Sequence, residues 1–260
     1  MEPFGISTLD IYRTLLIMFR TGALLMTVPV FGHISIPRML RVWLIVIFAL
    51  MIFPSAVVSE IQPPTKTFQL AIVILSELAI GFAMGFAVII LFAAVQFAGH
   101  IIGLQMGLAV ASIIDPMGAG RISIIGEFYY LLSLLVFLLI DGHHYVIEAL
   151  VWSFEKIPLG GGVFEAGLGE FIINLTGTLF IIALKLAAPV IITLFIVNVV
   201  MGIVARTVPQ MNVFIVGFPL AIGVGLIMIQ FSFPFFQNVL INAFRGLEGD
   251  IIRIIQFLQG

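Results

Sequence analysis

Long apolar runs separated by short polar interruptions dominate the chain, and the interruptions set where helices are predicted to begin and end. Residues 11–30, 42–58, 68–98, 122–140, 171–201 and 213–234 are apolar with few breaks. A bilayer core of about 30 Å takes about 20 helical residues, so 42–58 sits at the short limit while 68–98 and 171–201 are longer than a crossing demands. Ser7 or Thr8 is placed to cap the first run. The segment 31–41 is a connector with Pro37 and two arginines, and Pro63-Pro64 makes 59–66 a break. Residues 146–169, with the Gly160-Gly161-Gly162 triplet and much of the local charge, read as the most loop-like and exposed part. Pro189 predicts that 171–201 is kinked or split between Lys185 and Pro189, and Gly217-Phe218-Pro219 interrupts the last run. In the tail, 239–260, Phe244, Leu247, Ile251, Ile255 and Leu258 recur every three or four residues, with Arg245, Glu248, Asp250 and Arg253 between them. That pattern predicts an amphipathic helix lying on a surface or partner, weakened by Gly246 and Gly249.

One pattern within these runs stands out. Gly99, Gly103, Gly107 and Ala111 fall at every fourth residue and lead into Asp115-Pro116. On a helix they form a narrow stripe almost free of side chains, which lets another backbone approach closely. The same glycines each cost about 1 kcal/mol of helix propensity, so the segment packs tightly yet unwinds easily. Two readings stand: a small-residue interface ending in a polar turn, or a movable obstruction inside an assembly. Gly81 and Gly85 make a second such pair. Met106, Met117 and Met211 lie beside glycine, proline or asparagine, where a pliant side chain can seal a constriction; core filling is the plainer role.

Composition turns helices in general into helices for a membrane. Of 260 residues 62% are apolar and 9% charged, against roughly 25% charged in soluble domains. The net charge of −2 gives no electrostatic footprint for nucleic acid. With no cysteine there are no disulfides, thiolate metal sites or thiol nucleophiles. The first ten residues carry Glu2 and Asp10 and no Lys or Arg, so the first apolar segment is expected to remain in the mature chain. Basic residues divide evenly between alternate loops, leaving orientation undecided. Such a tie, with over-long, proline-broken and charge-bearing runs, suits a subunit buried in a larger assembly.

Charges inside apolar runs need partners. Arg13 and Arg20, seven apart, share a helical face that touches protein, water or headgroups. Glu77 is a lone acid with no second acid at helical spacing to continue a proton relay. Lys185 could neutralise it, or pair with Glu127 or with another chain. Asp141, His143 and His144 are the one cluster resembling a catalytic or metal site. Neighbouring histidines on a helix are expected to point to different sides, so the cluster reads as a polar turn at a membrane boundary. No HExxH, nucleophile elbow or phosphate-binding GxxxxGK occurs, and neither an enzyme nor a cofactor is expected. Two competitors remain: a self-contained transporter using Glu77 and Lys185, and an intramembrane enzyme using Asp141 and His143.

Several motifs in one order carry a more specific signal. They are Arg20 with PVFG at 29–32, Glu77 with IGFAMGF, GLQMGLAVASIIDP at 103–116, DGHH at 141–144, and ARTVPQMNVFIVGFP at 205–219. Over nearly its whole length the chain resembles the FliR family of type III export-gate subunits, in flagella and injectisomes, and its DGHH and PQMNVF forms look more flagellar. The resemblance implies an all-α fold of membrane-associated broken or kinked helical hairpins, built into a helical export-gate assembly rather than a simple transmembrane bundle. It implies a single domain over 1–260 that performs no catalysis. FliP and FliQ would be its partners, with the export switch protein FlhB, FlhA, unfolded flagellar proteins as cargo, and lipid. The location implied is the bacterial inner membrane at the flagellar basal body. A plug at about 103–118 would involve Gly103, Gln105, Met106, Gly107, Ala111, Asp115 and Pro116, and packing within the assembly would involve Gly81, Gly85, Gly99, Glu77, Lys185, Pro189, Arg206 and Pro209.

Overall fold

A computed structural model describes residues 7–33, 35–54, 66–108, 123–210 and 212–259, and among these every regular element is helical. Helix α1, Thr8–Thr27, starts in a capping box: the Ser7 hydroxyl accepts from the Asp10 amide at 3.1 Å, and the Asp10 carboxylate accepts from the Ser7 amide at 3.1 Å. The short α2, Pro29–Gly32, opens on proline at its first position, where a missing N–H costs nothing. Helix α3, Arg38–Ile52, has 15 residues, or roughly 22 Å at the helical rise, too short to cross an apolar core.

Five helices follow. Helix α4 is Thr67–Gln105, α5 is Ile124–Leu139, α6 is Gly142–Lys156, α7 is Ala166–Thr207 and α8 is Val213–Gln259. Helices α4, α7 and α8 are each long and apolar enough to cross a membrane, and α5 with α6 passes the same test as a span bent by 67° at its break. The chain is therefore an all-α membrane protein with one broken helix pair among the described residues.

The helices gather into two compact units. One holds Met1–Ile90, Asp141–Thr176 and Phe244–Gly260; the other holds Leu91–Ile140 and Gly177–Ala243. In the first, α1 packs on α3, and Leu16, Ile17, Leu24, Ala49, Ile80, Val146, Leu150, Ile251 and Ile255 are buried. In the second, Phe92 meets Phe137 edge-on at 5.5 Å, and Tyr129 lies 4.7 Å from Phe236. Over their most apolar stretches α4 is 61% buried, whereas α7 and α8 are only 28% and 22% buried. Large side chains such as Phe195, Ile203, Ile215 and Phe231 are therefore left for lipid or another chain to cover.

Two predicted breaks are absent and a third is shorter than expected. Of the kink or split expected between Lys185 and Pro189, the split does not occur, since α7 continues through Pro189, and α8 continues through Gly217-Phe218-Pro219 and Pro234. The tail 239–260 is thus the last part of α8, with Phe244, Leu247, Ile251, Ile255 and Leu258 all buried. An internal proline costs about 3 kcal/mol, but leaving the helix in an apolar setting would strand several backbone groups, each costing as much again. The third concerns 146–169, where residues through Lys156 belong to α6. Val146, Leu150 and Phe154 recur every fourth residue on its buried face, while exposed Glu148, Glu155 and Lys156 give the segment its loop-like composition. The actual loop is 157–165, and Ile157 and Leu159 within it are buried.

Candidate functional site

In the first unit the buried charge is concentrated on one ion pair. Arg20 on α1 and Glu77 on α4 are both fully buried and meet as two forks: Nε donates to Oε2 at 2.7 Å and Nη2 to Oε1 at 3.1 Å. Two parallel charge-assisted bonds of this kind are about twice as strong as neutral ones. The third guanidinium nitrogen, Nη1, donates to the carbonyls of Ser153 at 2.9 Å and Ile157 at 3.2 Å at the end of α6; the Ser153 carbonyl accepts from the Ile157 amide as well. The Phe154 ring lies 4.4 Å from the guanidinium carbon, adding a cation–π contact. The amide of Gly160 donates to Glu77 Oε1 at 2.7 Å from a backbone with φ of 70°, a conformation that costs glycine nothing. One ion pair thereby ties α1, α4, the end of α6 and the following loop.

Small residues make this pair reachable. A methyl group on Gly81 would overlap the Arg20 carbonyl and lie 2.7 Å from the Ala23 methyl, and one on Gly85 would lie 2.6 Å from Thr27 Cβ. Such an approach brings α1 against α4 at the level of the two charges. The partner considered for Glu77 in the sequence, Lys185, is exposed on α7, and Glu77 is bonded to Arg20 and Gly160 instead. Arginine suits the place better because its planar fork matches a carboxylate with two bonds, where lysine offers a single point charge.

In the second unit the glycine stripe changes character partway along. A methyl on Gly99 would stand 2.6 Å from Gly126 Cα and 2.7 Å from the Ile125 carbonyl, so the α4 and α5 backbones touch there. One on Gly103 would stand 3.1 Å from the Ser123 hydroxyl, which caps α5 by accepting from the Gly126 amide at 3.1 Å. Gly107 does not continue the helical stripe. Its φ is 79°, its amide donates to the Leu104 carbonyl at 3.0 Å, and the Leu108 amide donates to the Gly103 carbonyl at 3.0 Å. These two bonds form a Schellman motif, which ends α4 with glycine in the left-handed conformation. Beside it Met106 is fully buried, and its Sδ would lie 2.9 Å from a methyl on Gly225 of α8. Gln105 is exposed; Ala111, Asp115 and Pro116 lie outside the described residues. On α7 Pro189 is half-buried, Arg206 is exposed in the last turn, and Pro209 is exposed just beyond it.

The DGHH turn also departs from expectation. Asp141 has φ of 58° and precedes α6, and the His143 and His144 rings lie 4.2 Å apart rather than on opposite sides. Their donor atoms and that of Asp141 all fall within 4.8 Å of one another. The helical rule for neighbouring side chains misleads here because the two histidines stand in the first turn after a left-handed residue.

Ser153, Phe154, Ile157 and Gly160 were missed by sequence reasoning, since three of them act through backbone groups or a ring that no motif marks. Gly160 carried the one available signal, as part of a glycine triplet. A buried ion pair that fastens helices, together with glycines that bring backbones into contact, defines a helix-packing membrane protein. Residues 11–247 match the family described as Bacterial export proteins, family 1. The chain is 34% identical to the flagellar biosynthetic protein FliR of Bacillus subtilis, over 98% of each chain. It is 32% identical to the FliR of Escherichia coli over 90% of each, and 32% identical to that of Aquifex aeolicus over 94% of this chain and 92% of the relative. The chain belongs to the FliR family of bacterial export proteins.

Proposed function

We propose that this chain is a structural and gating subunit of the flagellar type III export gate, forming with FliP and FliQ the channel through which unfolded flagellar proteins leave the cell. It sits in the inner membrane at the flagellar basal body, where FlhB and FlhA are its further neighbours, and it carries out no bond chemistry. The observation that carries this reading is the family match along 11–247, with relatives named for flagellar biosynthesis. Apolar flanks left open on α7 and α8 support it, because they call for neighbouring chains. Glu77, closed in an ion pair, is withdrawn from the proton path that a self-contained transporter would require.

Within the gate, the segment that begins at Gly103 and runs to about 118 serves as the plug. Its helical entry, α4, ends in the terminator at Gly107. Met106 seals against Gly225 without a tight, specific bond. Co-purification in a mild detergent tests the assignment. A stable complex with FliP and FliQ, and loss of both swimming and flagellar protein secretion when the gene is deleted, is the expected result. A chain recovered alone, whose deletion leaves secretion intact, contradicts it.

A further inference from the structure

We propose that Asp141, His143 and His144 form a binding site for a divalent transition-metal ion of the Zn2+ type, which staples the turn between α5 and α6. Two imidazoles and one carboxylate are a donor set suited to such ions, and three protein ligands leave a position for water. Their donor atoms lie within 4.8 Å of one another. Two ligands of one tetrahedral Zn2+ stand roughly 3.3 Å apart, given metal–ligand bonds of about 2.0–2.1 Å. The Asp141 Oδ1 and His144 Nδ1 atoms are already 3.5 Å apart, and their side chains, 72% and 62% exposed, are free to turn through the remaining distance.

Two features point to a ligand rather than to a plain turn. Nδ1 of His143 is shielded from solvent and has no hydrogen-bond partner, a state that costs free energy and that a bound metal would relieve. Asp141 is also the one non-glycine residue with positive φ among the described residues, and its side chain makes no capping bond to α6. It accepts backbone strain without the cap that would ordinarily repay an aspartate at a helix start. That leaves its carboxylate available to the cluster, where it offsets the positive end of the α6 dipole that would otherwise repel a cation.

Zinc titration by calorimetry tests this site on the full chain, purified in detergent through a tag free of histidine and first stripped with chelator. One Zn2+ per chain is expected. Asp141→Asn, His143→Ala and His144→Ala should each weaken binding by at least the roughly 10–100-fold seen on disturbing outer partners of a metal, while His33→Ala and His100→Ala leave it unchanged. Co2+ substituted for Zn2+ should give the visible absorption of a low-coordinate nitrogen-ligated ion, lost in His143→Ala. Helical circular dichroism equal to that of the parent chain shows each variant folded. Absence of saturable binding, equal affinity in the three variants, or a Co2+ spectrum of the aquated ion overturns the proposal.

Discussion

The two places where α4 meets its neighbours solve the same problem by opposite means. Around Gly81 and Gly85 the close approach of α1 brings together full charges, and each of those charges is held by several bonds from different elements. Around Gly99 and Gly103 the approach of α5 brings together backbone and one hydroxyl, with no ion pair among the described residues. A charge that has left water cannot be separated from its partner without a large cost, so the first contact is fixed. The second rests on close backbone packing and ends at a helix terminator, as the proposed plug would require. The lesson is that a shared small-residue spacing says how near two helices come, while the groups beside it decide whether they can part.

The largest effect is expected from breaking the ion pair. Arg20→Ala or Glu77→Ala leaves a buried charge without its partner and should cost about 3–5 kcal/mol, read as a drop in melting temperature and recovered protein. Replacing both by apolar residues should cost less than the sum of the two but stay destabilising. The Ile157 carbonyl and the Gly160 amide would lose their partners, at about 1–3 kcal/mol for each buried orphan, while the Ser153 carbonyl keeps the Ile157 amide. Full recovery in the double variant would show that those backbone bonds carry nothing.

Next in size come the glycines, and here the two regions separate sharply. Gly99→Ala sets a methyl against immovable backbone, a strain of about 1–3 kcal/mol. Gly103→Ala meets a single hydroxyl at 3.1 Å rather than backbone, so its cost should be smaller, set by the α5 cap that hydroxyl must loosen, about 1 kcal/mol. Equal melting temperatures for the two variants would break this distinction. Gly107→Ala combines an unfavourable positive φ, worth about 1–2 kcal/mol, with overlap on the Phe218 ring. Hydrogen exchange across 99–108 should then rise, reporting a frayed end of α4. Smallest of all, Lys185→Ala lies on an exposed face and should shift stability in the isolated chain by no more than about 0.5 kcal/mol. Its effect should simply add to that of Glu77→Ala, because the two residues share no partner.

Much of this was legible in the sequence because it is local. The Ser7 cap, the buried face of the tail and the span-length runs follow from spacing within a few residues. Arg20 and Glu77 were each marked as charges needing partners, yet their pairing spans 57 residues and leaves no periodic trace. The end of the glycine stripe was hidden for another reason. Gly107 fits the every-fourth-residue pattern and also fits a helix terminator, and only the backbone decides between them. The prolines misled because their local cost is offset by the greater cost of opening a helix in an apolar setting.

Ion leakage through an assembled gate is the most direct test of the proposed role, that the segment following α4 closes the channel. Membranes carrying the complex with residues 105–116 deleted should pass small ions freely, while the complex keeps its subunits. An intact complex whose membranes remain as tight as those of the parent would contradict it.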